Sequence, residues 1–367
     1  MNENETKKIR VAINGFGRIG RVFLKLLLEK EKFLTQDSLG LKKEIEIVAI
    51  NDLSEIENLA YLLKYDTANV LKNTDLDLEI IKSEKEKKIR IGKMEILFLS
   101  EPDPNYLPWK DLDIDVVLEA TGVFNSYQKA SAHLQAGAKR VVLTAPAKGD
   151  KSGVAIPDYG VIGKTILMGI NEDDLKTCQI SANGSCTTNA VSPVLQILKQ
   201  KIGIKKAILN TIHSYTATQK IIDSPDKKDF RKGRAGAQNI IPTSTGAAIA
   251  TTLAIKDLVG KFDGMAVRVP VILGSLVDLT FVTDRNTTEE EINQILIDAS
   301  KEKKWKNIFG VTNEPIVSSD VIGNKFASLV DLSLTKVVDR DLVKVLIWYD
   351  NETGYANTLI EHILKAF

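Results

Sequence analysis

Ile9-Arg-Val-Ala-Ile-Asn-Gly-Phe-Gly-Arg-Ile-Gly20 runs directly into Arg21-Val-Phe-Leu-Lys-Leu-Leu-Leu28, and this stretch decides how the first half of the chain folds. Residues 9–13 read as a strand, the glycines as a tight turn, and residues 22–28 as a helix by their apolar periodicity. Gly15, Gly17 and Gly20 match G-x-G-x-x-G in the context that pattern requires: a tight turn, close backbone approach to a pyrophosphate, and a helix packed hard on its strand. The same glycines could form a plain turn, so an acidic ribose partner is the deciding observation. It stands at the end of the next strand, Ile45-Glu-Ile-Val-Ala-Ile50, where Asn51 and Asp52 follow. A carboxylate here accepts both ribose hydroxyls and repels a 2′-phosphate, so Asp52 favours NAD over NADP. The position equally suits an N-cap for the following helix. Asp52 lies 32 residues beyond Gly20 (52 minus 20), against about 20 in the usual fingerprint. The polar residues 30–43 absorb the excess as a longer helix or a surface loop.

The 367 residues exceed the usual ceiling for one core, so about two domains are expected. Lysine plus arginine (49) nearly balances aspartate plus glutamate (48), which gives no general attraction to nucleic acid or to a membrane surface. Two cysteines, Cys178 and Cys186, are too few for a disulfide scaffold and fit a reducing compartment. The first eight residues lack an apolar signal core, and no apolar run approaches membrane-spanning length. A cytoplasmic protein is expected.

A second stretch, Ser181-Ala-Asn-Gly-Ser-Cys-Thr-Thr-Asn-Ala190, precedes the helically spaced Val191-Ser-Pro-Val-Leu-Gln-Ile-Leu-Lys-Gln200. Cys186 therefore falls near a helix N-terminus, where free N–H groups and the helix dipole favour a thiolate and lower the thiol pKa. The competing reading is a buried cysteine acting as a small hydrophobe. Ser185, Thr187, Thr188 and Asn189 oppose it, since each would need a partner in an apolar core.

Between these stretches, Lys87-Lys-Ile-Arg-Ile91 and Met94-Glu-Ile-Leu-Phe-Leu99 read as a small antiparallel insertion, and Asp115-Val-Val-Leu-Glu119 as a buried parallel strand. The strand ends at Ala120-Thr-Gly, and ligands in such sheets lie beyond the carboxyl ends of strands, so Thr121 is placed to face the cofactor. His133 reads as a solvated helix-face residue and His362, near the C-terminus, as a surface residue. Residues 148–160, rich in Gly, Pro and charge, read as a surface loop.

Taken together, Asn14-Gly-Phe-Gly-Arg-Ile-Gly-Arg21, Ser185-Cys-Thr-Thr-Asn189, His213-Ser-Tyr-Thr-Ala-Thr-Gln219, Ile241-Pro-Thr-Ser-Thr-Gly-Ala-Ala248 and Trp348-Tyr-Asp-Asn-Glu352 resemble glyceraldehyde-3-phosphate dehydrogenases, in order and over nearly the whole chain. The resemblance implies oxidation of an aldehyde through a cysteine hemithioacetal, with NAD as cofactor and inorganic phosphate releasing the acyl group. It implies Cys186 as nucleophile and His213 as its base; alone, His213 would read as a structural histidine. For the dinucleotide it implies Gly15, Phe16, Gly17, Arg18, Ile19, Gly20, Asp52, Thr121 and Asn351, the last on the nicotinamide carboxamide. For phosphate it implies Thr216, Thr218 and Arg234 on the substrate side. Ser185, Thr187, Thr245, Gly246 and a shared or shifting Arg268 serve the second anion. Residues 229–234, alone a solvated charge run, belong in that family to a loop reaching a neighbouring subunit, which implies a homotetramer. No metal is implied.

The expected fold class is α/β. A doubly wound (Rossmann) dinucleotide-binding domain spans residues 1–185, completed by a C-terminal helix at 350–367. An α+β catalytic domain with a mostly antiparallel sheet spans 186–349. Departures from the family leave the nucleophile intact: Ala182 and Gly184 stand where Ser and Ala are common, and Ala190 replaces a frequent second cysteine. Erythrose-4-phosphate dehydrogenase, and a non-catalytic RNA-binding or redox-sensing member, are the alternatives; Thr216-Ala-Thr218 resembles the glyceraldehyde enzymes.

Overall fold

The computed structural model describes residues 7–29, 35–36, 42–69, 76–149, 152–156, 160–227 and 229–367. Most of the stretch 30–43 expected to absorb the extra Gly20–Asp52 spacing lies outside them, as do parts of the 148–160 loop. The chain divides into two compact units, Met1–Ile166 with Glu172–Asn183 and Leu359–Phe367, and Leu167–Asn171 with Gly184–Thr358.

The first unit runs β1 (Lys7–Asn14), α1 (Arg18–Glu29), β2 (Thr35–Gln36), β3 (Lys42–Asn51), α2 (Ile56–Lys64), β4 (Leu78–Lys82), β5 (Lys87–Ile91), β6 (Met94–Leu99), β7 (Val116–Glu119), α3 (Tyr127–Gln135), β8 (Arg140–Leu143), β9 (Gly163–Thr165) and β10 (Ile180–Ala182). Its sheet has the order β4-β5-β6-β3-β1-β7-β8-β10-β9, with β2 beside β3. Pairings from β6 through β9 are parallel, whereas β4, β5 and β6 form an antiparallel meander. From Val11 to Asn14 the first strand is buried on both faces, which is why it reads as a continuous apolar run. Strand order reverses beside β1, with β3 on one side and β7 on the other. The loops after β1, β3 and β7 therefore gather at one crevice, the place where open α/β sheets bind ligands.

The second unit runs α4 (Cys186–Ile202), β11 (Ile204–Ser214), β12 (Ile241–Ser244), α5 (Ala247–Ala254), β13 (Phe262–Val269), β14 (Ser275–Thr283), α6 (Glu289–Ser300), β15 (Phe309–Thr312), β16 (Ser328–Val338), β17 (Leu342–Tyr349) and α7 (Thr353–Lys365), whose last turns belong to the first unit. The sheet order is β12-β13-β11-β14-β17-β16-β15. Four of its six pairings are antiparallel; β11 with β13 and β15 with β16 are parallel. The core joins one face of this sheet to α4 and α6 through Val194, Leu198, Leu279, Val345, Ile347 and their neighbours.

Two expectations are corrected. His133 is not solvated: it is fully buried, with Trp109 Nε1–H donating to its Nδ1 at 3.0 Å, so that Nε2–H faces Glu119 Oε2 at 3.1 Å. His362 is also fully buried, its Nε2 2.7 Å from Ser181 Oγ and its Nδ1 3.1 Å from Asn183 Oδ1. Each buried imidazole keeps a partner on both nitrogens, as burial of a polar ring requires. Neither set of partners lies within reach along its own helix, so periodicity could not reveal them.

Candidate active site

In the first unit the glycine turn explains itself atom by atom. Gly15 has φ +93°, and a Cβ there would sit 2.6 Å from Thr121 N. A Cβ on Gly20 would meet Gly15 O at 2.5 Å, whereas one on Gly17 would meet nothing within 4 Å. Two of the glycines thus allow the chain to pack against itself, and the exposed Gly17 leaves an open face where a ligand's backbone contact fits. Asp52 is not the N-cap of α2; that position is Glu55, whose side chain caps nothing. Asp52 Oδ2 instead accepts from Phe16 N–H at 2.7 Å and Oδ1 from Ser54 N–H at 2.9 Å, which ties the end of β3 to the glycine turn. Arg18 opens α1 and pairs with buried Asp66 at 2.8 Å. Ile19 follows it, half-buried.

Sequence reasoning missed the carboxylate that joins these loops. Glu119, buried at the end of β7, accepts from Asn14 Nδ2 at 2.6 Å, from Thr121 N–H at 2.9 Å and from the Thr121 hydroxyl, and it faces His133. Thr121 is itself exposed. Glu119 spends its lone pairs on donors from both crevice loops, and a fully apolar strand closing on a glutamate was the available signal.

In the second unit Ser185 is the N-cap of α4: its φ is −109° and ψ 171°, and its hydroxyl accepts from Thr188 N–H at 3.1 Å. Cys186 is the first helical residue. The positive φ of Gly184 (+66°) lets the chain turn into the cap. Cys186 Sγ lies 3.4 Å from His213 Nε2. His213 lies inside β11, and strand register sets it beside Arg268 of β13. Arg268 Nη1 lies 2.6 Å from His213 Nδ1 and donates to Ser214 O at 3.0 Å, while Nδ1 is 2.7 Å from the same carbonyl. One ring nitrogen thus faces a donor and an acceptor. Protonated at Nδ1, it donates to Ser214 O and presents a basic Nε2 to the thiol; otherwise Nδ1 accepts from Arg268.

Burial pushes the Cys186 thiol up, against the Arg268 charge and the hydrogen bonds from Thr187 that pull it down. Burial, then the Arg268 charge, lowers His213 to about 3, and burial lowers Arg268 as well. The helix N-terminus was expected to win for Cys186. Desolvation opposes it at this half-buried residue, and burial is the larger influence on the thiol.

Around this pair, Asn351 Oδ1 accepts from the Ser214 and Ser275 hydroxyls at 2.9 and 3.0 Å, which fixes the amide flip and leaves Nδ2 as the side-chain donor available to a bound group. Thr216 and Thr218 share a 2.9 Å hydroxyl contact and both donate to Gln219 Oε1 at 3.3 Å in the turn after β11. Thr245 caps Ala247 N–H at 3.2 Å, and Gly246 stands open-faced at the start of α5. Thr187 turns its hydroxyl inward, 2.9 Å from the phenol of Tyr349. Arg234 makes no recorded contact with these groups. Its guanidinium pairs with Asp223 at 2.6 Å on an open cleft of about 370 Å³ within residues 223–234.

Comparison with known proteins agrees with this division. The family described as glyceraldehyde 3-phosphate dehydrogenase, NAD binding domain, matches residues 9–127, and its C-terminal domain matches residues 185–351. The chain is similar to the glyceraldehyde-3-phosphate dehydrogenase of Thermotoga maritima, 45% identical over 353 residues, covering 96% of this chain and 97% of that one. It is 43% identical over 356 residues to that of Clostridium pasteurianum, covering 96% of both chains. It is 42% identical over 355 residues to that of Streptomyces coelicolor, covering 96% and 97%.

Proposed function

The chain belongs to the glyceraldehyde-3-phosphate dehydrogenase family, and from that premise we propose that it catalyses the phosphorylating, NAD-dependent oxidation of D-glyceraldehyde 3-phosphate to 1,3-bisphosphoglycerate. The observation that carries the mechanism is the 3.4 Å contact between Cys186 Sγ and His213 Nε2 at the start of a capped helix. Nothing in the molecule favours the erythrose-4-phosphate, RNA-binding or redox-sensing alternatives.

The Cys186 sulfur adds to the aldehyde carbon as His213 Nε2 takes the thiol proton. His213 Nε2 passes that proton to the former carbonyl oxygen, giving the hemithioacetal, and takes it back from the hydroxyl as the carbon gives up hydride, leaving an acyl thioester on Cys186. NAD, when bound, supplies the two-electron acceptor. A phosphate oxygen attacks the thioester carbonyl, the C–S bond breaks, and the acyl phosphate leaves with Cys186 restored.

The cradle residues fit the cofactor. The open face at Gly17 admits the pyrophosphate, Asp52 presents its carboxylate to the ribose, and Phe16, Arg18, Ile19 and Thr121 line the same turn. Asn351 Nδ2 serves the carboxamide. Thr216, Thr218 and Arg268 take the substrate phosphate, and Ser185, Thr245 and Gly246 the attacking one. Arg234 joins either anion only by leaving Asp223, and Thr187 only by leaving Tyr349. Assembly as a homotetramer has support from exposed apolar residues that a lone chain leaves in water: Ile208 and Met265 on the second sheet, and Ile221, Ile222, Phe230 and Ile240 after it. Among the described residues no helix is long and apolar enough to cross a membrane, and the cytoplasm is the proposed compartment.

The test is NADH formation, followed spectrophotometrically, with glyceraldehyde 3-phosphate and with erythrose 4-phosphate, each with and without inorganic phosphate. Preferred, phosphate-dependent turnover of the triose is expected. Preference for the tetrose, or turnover indifferent to phosphate, overturns the assignment.

A further inference from the structure

Asn351 stands two residues beyond the end of β17, and both lone pairs of its side-chain oxygen are occupied. Oδ1 accepts from the Ser214 hydroxyl at 2.9 Å and from the Ser275 hydroxyl at 3.0 Å. Ser214 closes β11 and Ser275 opens β14 opposite Tyr349, so three neighbouring strand ends bring these groups together. Both serines are buried. Counting protons decides which way the amide faces. Ser275 Oγ also accepts from Ser214 N–H at 3.2 Å and lies 3.4 Å from Ser214 Oγ. Were the amide turned over, Nδ2 would take the last lone pair of Ser275 Oγ, and the Ser214 hydroxyl proton would meet no acceptor among the described residues. In the observed orientation both hydroxyl protons reach Oδ1. A buried donor left without a partner costs more than a hydrogen bond contributes, so the observed orientation is enforced. Nδ2 is then the atom left for a ligand, and it makes no hydrogen bond to any described residue.

We propose that Ser275, together with Ser214, makes Asn351 a reader of carbonyl oxygen. By saturating Oδ1 the two hydroxyls leave Asn351 only N–H to offer, so the pyridine ring of a bound dinucleotide is selected by the C=O of its 3-substituent rather than by the amine beside it. Ser275 is a positioning residue that acts through Asn351. The inference deepens the placement of Asn351 on the nicotinamide carboxamide and rests on it. Ser214 also ties this reader to the base, because its backbone carbonyl accepts from Arg268 Nη1 at 3.0 Å and lies 2.7 Å from His213 Nδ1. Ser275 makes no hydrogen bond to His213 or Arg268, so its hydroxyl can be removed without withdrawing a partner from either.

Calorimetric dissociation constants, measured on the whole enzyme without substrate, test this independently of turnover. The probes are NAD, its 3-acetylpyridine analogue, which keeps C=O and replaces the amine by methyl, and its thionicotinamide analogue, which replaces C=O by the poorer acceptor C=S. Wild type is expected to bind the acetylpyridine analogue nearly as well as NAD, and to favour NAD over the thionicotinamide analogue by about 3- to 10-fold, the span of one modest hydrogen bond. Ser275→Ala is expected to narrow that preference by about 3-fold, and Asn351→Ala to abolish it. A ratio taken within each protein cancels any general loss of affinity, which is all that a merely structural serine would cause. If Ser275→Ala does not fold, Ser214→Ala withdraws the other donor and is expected to narrow the preference likewise. A folded serine variant that keeps the full preference, while Asn351→Ala loses it, overturns the inference and leaves Asn351 on the carboxamide. A preference that survives in Asn351→Ala overturns both. Wild type that loses more affinity for the acetylpyridine analogue than for the thionicotinamide one reads the amine, and that result also overturns the inference.

Discussion

The glycine crevice of the first unit and the thiol site of the second solve opposite electrostatic problems. In the crevice, carboxylates are given donors: Glu119 holds N–H and O–H groups from Asn14 and Thr121, and Asp52 holds two backbone amides. In the thiol site, ionisable groups are buried with too little compensation, so that the thiol is pushed up and the imidazole down to about 3, beside a guanidinium whose Nε has no partner. A binding surface needs its shape before the ligand arrives, so satisfied anchors suit it. A site that moves protons gains from groups whose charge is deferred until a reacting atom shares it. Variants can break each half of this contrast separately.

The largest effects belong to the thiol site. Cys186→Ser is expected to lower aldehyde oxidation by at least about 10³-fold, because the hydroxyl is far less nucleophilic and its base is poorly matched. NAD binding, measured by calorimetry, should stay near normal, since none of the crevice anchors involves Cys186. His213→Asn keeps a polar side chain and removes the base, so kcat should fall about 10²- to 10⁴-fold. Near-normal kcat in His213→Asn would return that residue to a purely structural role.

Two glycines of one motif should separate folding from binding. Gly15→Ala places a Cβ 2.6 Å from Thr121 N at a positive φ, and a backbone cannot step aside cheaply, so a loss of at least about 3 kcal/mol is expected. Gly17→Ala meets nothing in the protein and should leave the thermal midpoint almost unchanged while weakening NAD. A Gly17→Ala variant that binds NAD normally would show that the open face is not where the cofactor approaches.

These variants also mark what was legible in the sequence. Strand, glycine turn, helix and the cysteine at a helix start are local patterns, written within a few residues of one another, and each is where it was expected. His133 and His362 were misplaced because their burial is decided elsewhere, by Trp109 and Glu119 for one and by Ser181 and Asn183 for the other. Tyr349 stands inside a legible motif, but its contacts with Thr187 and Thr211 come from a helix and a strand more than 130 residues away. A helix start can be read from a sequence, whereas the burial of the residue that opens it cannot.

The buried histidines make acid stability the next test. His362 is held neutral at about 3, by burial first and by Arg140 second. In the unfolded chain it titrates near 6.5. Between these values the unfolded state binds the extra proton, so stability rises with pH across the window and is lost as pH falls from about 6.5 toward 3. At pH 4.5, two units below the unfolded value, the loss is roughly 2–3 kcal/mol. His362→Gln retains hydrogen-bonding capacity without the titration. Its thermal midpoint should fall less than wild type's between pH 7.5 and pH 4.5. An equal fall in both proteins would mean that His362 does not resist protonation.

The smallest effect expected concerns Asp52, and it asks whether the crevice carboxylate acts by charge or by anchoring. Both its oxygens accept backbone N–H groups, Phe16 on one side and Ser54 on the other, so it shapes the turn as well as carrying charge. Asp52→Gly removes both functions: NAD should weaken and its advantage over NADP should narrow. Asp52→Asn separates them, because the amide oxygen can still accept from Phe16 N–H while the charge that repels a 2′-phosphate is gone. If charge sets the cofactor preference, Asp52→Asn should narrow the NAD-to-NADP ratio of kcat/KM by about 10-fold, equivalent to about 1.4 kcal/mol, with KM for NAD changing only a few-fold. A ratio that stays fixed in Asp52→Asn and moves only in Asp52→Gly would assign the preference to the shape of the glycine turn instead. The crevice would then select its cofactor by the same backbone fit that Gly15 and Gly20 enforce.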